Sequence, residues 1–220
     1  MSAYFVTATG TDIGKTYVTA GIIRAARQAR RAVTAIKPVL SGYNPAAAID
    51  SDPAILLRAM GKPVTRRNIA AITPWRFAAP LSPDMAAARE GRRIDIGALT
   101  GFCREAIAAA PETLLIEGAG GVVVPLDDHH TIANFIAKLN IPALLVAGTY
   151  LGSISHTITA AESLALRGIA IAGIVLNESL DAPVPTAETA ATLARFLPYP
   201  IYIVPRYYND RSFRELAAAL

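Results

Sequence analysis

The chain has 220 residues, of which 53% are hydrophobic, with a formal net charge of +4 and one cysteine. That length suits one substantial core and no linker interrupts it, so a single domain over residues 1–220 is predicted. No apolar stretch reaches a membrane span, no basic segment precedes a signal-like run, and a lone cysteine closes no intrachain disulfide; a cytoplasmic protein with no membrane partner is therefore predicted.

Residues 5 to 18 read FVTATGTDIGKTYV. Ala3 to Ala8 form a short apolar run, and after Gly14 the spacing of Tyr17, Val18, Ile22, Ile23 and Ala26 is helical, so the stretch reads as strand, glycine-bearing loop, helix. The Walker A pattern would place a glycine at position 9, where this chain has Thr9, and the nearest upstream glycine is Gly10. The context is more specific than the pattern. Loop amides and the unpaired first helical turn would converge on a polyphosphate, with Lys15 reaching the outer phosphates and the Thr16 hydroxyl joining a Mg²⁺ shell. The plainer alternative is an ordinary helix start capped by Thr11 or Asp12, with Lys15 solvated. At the far end of this helix stand Arg27, Arg30 and Arg31, where cations offset the helix dipole. The other basic residues are scattered without aromatic interleaving, so no nucleic-acid partner is predicted.

Further strands are predicted at 33–39, 113–117, 142–148, 170–176 and 200–204, and helices at 52–60, 95–110, 131–139, 154–167 and 186–196. Near-continuous apolar strands alternating with helices predict an α/β domain with a doubly wound, mostly parallel sheet and helices on both faces. Ligands in that architecture lie beyond the carboxyl ends of the strands, so the residues there are the candidates. Lys37 stands toward the end of the second strand and Ser41 lies just beyond it. Asp50 and Asp52 come next, with Asp52 before Pro53 as either a helix cap or an acid for the site. Cys103 falls in a helical pattern and reads as core filling. Glu117 ends an apolar strand and precedes Gly118-Ala119-Gly120-Gly121, the place of a Walker B acid or of a bulged loop. Asp127-Asp128-His129-His130 lacks metal-ligand spacing and reads as a solvated loop before a helix. The run Thr149-Tyr150-Leu151-Gly152-Ser153-Ile154-Ser155-His156 leads into another helix, and the last strand pair ends at Asn177 and Pro205, both placed to meet a base.

In order, FVTATGTDIGKT, IKPVLSG, PWRFAAPLSP, IEGAGGVVVPL, YLGSISH and GIVLN resemble the dethiobiotin synthetases, across nearly the whole chain. The resemblance implies a P-loop NTPase fold and an ATP- and Mg²⁺-dependent ligase. Such an enzyme carboxylates 7,8-diaminopelargonate with CO2 or bicarbonate and closes the ureido ring through a carbamate and a carbamic–phosphoric anhydride. It implies Lys15, Lys37 and Thr11 as catalytic residues and Thr16, Asp52 and Glu117 as the Mg²⁺ set. Asp12, Ile13, Gly14, Lys15, Thr16, Tyr17, Glu117, Asn177 and Pro205 would hold the nucleotide. Thr11, Lys37, Ser41, Gly120, Leu151, Gly152 and Ser155 would hold the diamine, whose tail crosses the interface of a homodimer with composite active sites. Three positions depart from the family: Ala8 stands where its phosphate loop begins with glycine, Ser155 where asparagine is common, and Asp84 where histidine is usual. The rival class is a nucleotide-switch ATPase of the partitioning or septum-placing type. Those carry a second lysine inside the phosphate loop, and positions 9 to 13 hold none.

Overall fold

Leu114, Leu115 and Ile116 lie in one strand and Leu144, Leu145 and Val146 in another; all six are buried, as strands covered on both faces require. The computed structural model describes residues 2–207 and 210–220. Its strands β1 (Ser2–Ala8), β2 (Val33–Ile36), β5 (Thr113–Glu117), β6 (Ala143–Ala147), β7 (Ile171–Asn177) and β8 (Ile201–Val204) form a parallel sheet in the order β2-β5-β1-β6-β7-β8. From β1 the chain first moves toward β2 and β5, then crosses to β6 and beyond. The end of β1 thus lies where strand order reverses, which is where doubly wound sheets bind ligands.

The helices that follow these strands are α1 (Lys15–Gln28), α2 (Asp52–Ala59), α5 (Ile96–Ala109), α6 (Ile132–Leu139), α7 (Ser153–Ala165) and α8 (Thr186–Leu193). Each overlaps a predicted helix. Two differences bear on the site. The predicted strand 33–39 breaks at Lys37-Pro38, and its far end becomes β3 (Val39–Leu40), which pairs in parallel with β4 (Trp75–Arg76) in a separate two-stranded sheet. Pro38 has no N–H for a ladder, but its carbonyl accepts from the Trp75 amide at 3.0 Å, while the Lys37 amide donates to Ile72 at 3.0 Å. The sequence reading also lacks α3 (Arg66–Ile72), α4 (Pro83–Arg89) and α9 (Asp210–Ala219). The first two are short, and α9 takes its place by packing on α1, where the Phe213 ring occupies the space that the missing side chain of Gly21 leaves. Among the described residues, no helix is long and apolar enough to cross a membrane.

Candidate active site

The loop between β1 and α1 ends at Gly14, which caps α1 at φ 98° with no side-chain hydrogen bond. Neither Thr11 nor Asp12 closes the helix, so its first amides stay available to an anion at the positive end of the dipole. Gly14 is required twice. Its φ suits glycine alone, and a Cβ there would sit 2.3 Å from Asn177 Nδ2. Asp12, at φ 57°, adds a second left-handed residue two positions earlier.

Four charged side chains meet beside this helix end. Glu117, last in β5, is fully buried next to β1. Lys37, only 4% exposed, donates to Glu117 Oε1 at 2.7 Å and to Asp52 Oδ2 at 2.8 Å. Thr16 Oγ1 donates to the same Glu117 oxygen at 2.6 Å. Lys15 turns back into the loop, its Nζ donating to the carbonyls of Gly10 at 3.1 Å and Gly120 at 2.7 Å. Lys37 is therefore no surface lysine. Asp52 sits in the first turn of α2 with its carboxylate spent on Lys37, and Ser51 is the capping position.

The electrostatics divide the two lysines. Burial opposes the charge on Lys37, but Glu117 and then Asp52 outweigh it and hold the ammonium above its ordinary range. Burial likewise opposes the charge on Asp52, yet Lys37 keeps that carboxyl below its ordinary range. Lys15 has no such partner at contact distance; burial first, and repulsion from Lys37 second, bring its pKa down to about 8. Lys37 is thus a committed cation, whereas Lys15 holds its proton less firmly than an ordinary lysine.

Thr11, Asp12, Gly14, Lys15, Thr16, Lys37, Ser41, Asp52 and Gly120 line one cleft of about 340 Å³, together with Leu40 and Ala119. Leu40 and Ala119 lie inside the stretches read from sequence, but they have no charged or hydroxyl group to mark them. A larger groove of about 790 Å³ lies around Arg92, Arg93 and the 127–130 loop. We assign the chemistry to the smaller cleft, because the buried charges and the open helix end converge there. In the larger groove Asp127 is spent on its own loop, accepting from the His129 and His130 amides and facing the His130 ring at 3.0 Å, and no metal-binding group of three or more His, Cys, Asp or Glu residues occurs among the described residues.

A divalent cation fits the cleft. Thr16 and Asp52 line it with oxygen donors, and Glu117, which is fully buried and outside the cleft lining, holds Thr16 and Lys37 through Oε1 while its Oε2 has no hydrogen-bond partner, a hard donor that a cation would satisfy.

The remaining candidates lie outside this cleft. Ile13 accepts at its carbonyl from Asn177 Nδ2 at 2.9 Å, and Asn177, last in β7, pairs with Val204 so that Pro205 follows directly beside it. Tyr17 packs edge-on against Phe213 of α9, with ring centroids 5.6 Å apart. Leu151, Gly152 and Ser155 are exposed at the start of α7, where Gly152 caps the helix at φ 96° with no side-chain bond, so neither Ser153 nor Ser155 serves as a cap. The reading from sequence missed the clip beneath this loop, in which the Thr149 amide donates to Ser179 Oγ at 2.9 Å and the Ser179 amide to Thr149 Oγ1 at 3.0 Å. Two hydroxyl residues 30 positions apart carry no local signal of such a pairing. Ala8 belongs to the buried core and does not line the cleft, so its methyl group does not stand in the way of a phosphate. Cys103 is buried core, its thiol pushed up to about 12 by burial.

A family described as an AAA domain matches residues 2–206. Solved structures with the same fold include the cell division ATPase MinD of Pyrococcus furiosus, at 16% identity and TM-score 0.58 over 100% of this chain and 98% of that one. The hydrogenase maturation factor HypB of Archaeoglobus fulgidus aligns at 11% identity and TM-score 0.58 over 99% and 89%. At such identities the likeness establishes the doubly wound α/β fold and nothing finer. Sequence relatives are far nearer: the ATP-dependent dethiobiotin synthetase BioD of Acidiphilium cryptum is 52% identical over 92% of this chain and 93% of its own. The protein of the same name from Methylobacterium nodulans is 48% identical over 89% of each chain. With a phosphate loop, a buried lysine–carboxylate cluster and relatives at this identity over nearly full length, the chain belongs to the ATP-dependent dethiobiotin synthetase family.

Proposed function

We propose that this protein makes dethiobiotin from 7,8-diaminopelargonate, CO2 and ATP, as a cytoplasmic homodimer. The observation that carries the reading is the set of buried Lys15, Lys37 and Glu117 with half-buried Asp52 at the open end of α1, with Thr11 and Ser41 lining the adjoining cleft. One amine of the substrate adds to CO2 and loses a proton, giving a carbamate. A carbamate oxygen attacks the γ-phosphorus and ADP leaves. The second amine then attacks the carbamoyl carbon and gives up a proton, phosphate leaves, and the ring closes. Each step needs fixed positive charge against developing negative charge more than it needs a strong base.

Lys37 meets the transferred oxygens, since its two carboxylates keep it charged despite complete burial. Lys15 exchanges the Gly10 and Gly120 carbonyls for the outer phosphates, which hold its proton more firmly. Thr16, Asp52 and Glu117 would hold Mg²⁺, which would screen the phosphate charge. Thr11 and Ser41 orient the diamine. Its carboxylate reaches Leu151, Gly152 and Ser155 of the second protomer, where the open end of α7 suits an anion.

Release of ADP, followed with and without diaminopelargonate and bicarbonate, tests the reading. ADP should form only with both, alongside dethiobiotin detected by mass spectrometry. Equal hydrolysis without the diamine would favour a nucleotide switch instead.

A further inference from the structure

We infer that Asn177 is a positioning residue for the phosphate loop, acting on the loop itself and not only on a base. Its side chain crosses 164 positions of sequence to donate from Nδ2 to the Ile13 carbonyl at 2.9 Å. A carbonyl can only accept, so the amide nitrogen must face it. The same nitrogen fills the space that a Cβ on Gly14 would need. One side chain therefore grips both ends of the peptide unit that leads into α1.

That peptide is the one whose direction matters. Because it is planar and trans, its N–H points opposite to its C=O. Holding the Ile13 oxygen toward Asn177 turns the Gly14 N–H away from Asn177, and Gly14 lines the phosphate cleft whereas Asn177 does not. The loop has reason to move without this grip, since Asp12, which is not a glycine, is held at φ 57°. Asn177 can hold it because its own backbone is fixed in the sheet by pairing with Val204.

The inference rests on the cleft being the nucleotide site, which binding of Mg·ATP to the unaltered protein tests separately. Mg·tripolyphosphate, which has no base, isolates the loop. Asn177→Ala should bind tripolyphosphate about tenfold more weakly, the worth of one hydrogen bond, with little change in melting temperature. Amide exchange over residues 10–16 in the nucleotide-free variant should quicken by a similar factor. If ATP binding suffers while tripolyphosphate affinity and loop exchange stay as they were, Asn177 reads the base alone and the brace is wrong. Should Asn177→Ala fail to fold, Asn177→Leu, uncharged and close in shape, keeps a side chain beside Gly14 and removes the donor. Faster loop exchange in that variant supports the brace, and unchanged exchange overturns it.

Discussion

The first turns of α1 and α7 use one backbone device in two settings. Both follow a strand of the sheet, both are capped by a glycine at φ between 96° and 98°, and neither has a side chain on its free amides. The start of α6 shows the alternative, where Thr131 and Asn134 close the helix with a reciprocal capping box. What separates α1 from α7 is their surroundings. Beside α1 lie two lysines and two carboxylates next to a cleft, whereas α7 and its capping glycine follow Leu151, 85% exposed, with the Tyr150 hydroxyl on the His156 ring at 2.8 Å nearby. An open helix end alone suits a single carboxylate; a polyphosphate in transfer needs the added cations.

The comparison is tested hardest at Lys37. Lys37→Ala should lower turnover by about a hundred- to a thousandfold while changing the KM for ATP far less, because this cation meets charge that develops in the transition state. It also leaves Glu117 buried and unpaired. A stability loss at the low end of roughly 3–5 kcal/mol is expected, since half-buried Asp52 regains water, and melting curves must accompany the kinetics. Unchanged turnover would remove Lys37 from the chemistry.

The α7 end is tested by complementation. Lys37→Ala and Gly152→Trp, each inactive alone and shown to be dimeric by size, are mixed and refolded. Half of randomly formed dimers are mixed and each holds one intact composite site, so about a quarter of the wild-type activity should return. No recovery would assign the carboxylate pocket to the same subunit as the phosphate loop.

Alanine at the two capping glycines separates backbone strain from local crowding. Gly152→Ala meets only His156 Cε1 at 3.9 Å and should cost about 1–2 kcal/mol, the strain of a left-handed residue. Gly14→Ala carries that strain and collides with Asn177, so it should be less stable still and lose nucleotide binding, as denaturant melts and titration would reveal. Equal losses at the two sites would mean that Asn177 yields easily.

The smallest effect concerns pH. Lys15 has a pKa near 8 in the free protein, and phosphate oxygens raise it in the complex. Above pH 8 binding therefore takes up a proton, and Mg·ATP affinity should fall by up to about tenfold per pH unit; below pH 8 this group leaves affinity flat. Calorimetry in buffers of different ionisation heat measures the uptake. The sign for stability is opposite to that of a paired lysine: between pH 8 and the ordinary value of 10.5 the unfolded chain binds more protons, so Lys15 adds stability to the free protein as pH rises. Absence of proton uptake would mean that Lys15 is fully charged before the nucleotide binds.

Local signals carried much of this protein. Apolar runs such as ALLVA define buried strands by themselves, and Gly14-Lys15-Thr16 after such a strand marks an anion-binding turn, because hydrophobic periodicity and glycine's backbone freedom act over a few residues. Lys37, Asp52 and Glu117 were legible as strand-end and helix-start candidates in the same way. Their meeting was not. Lys37 reaches Glu117 across 80 positions and Asn177 reaches Ile13 across 164, and such contacts follow from strand order, with β5 placed beside β1 and β7 two strands away from it. Two-residue strands such as β3 and β4 are too short for any period to appear, and exist because the chain on either side of each is held. The sequence by itself determined which groups could bind phosphate and metal. Only the tertiary structure decided that Glu117 keeps one oxygen free, that Lys37 binds its proton more tightly than an ordinary lysine and Lys15 less tightly, and that two glycine-capped helices face different surroundings, since burial and Coulomb energy depend on distance through space and not along the chain.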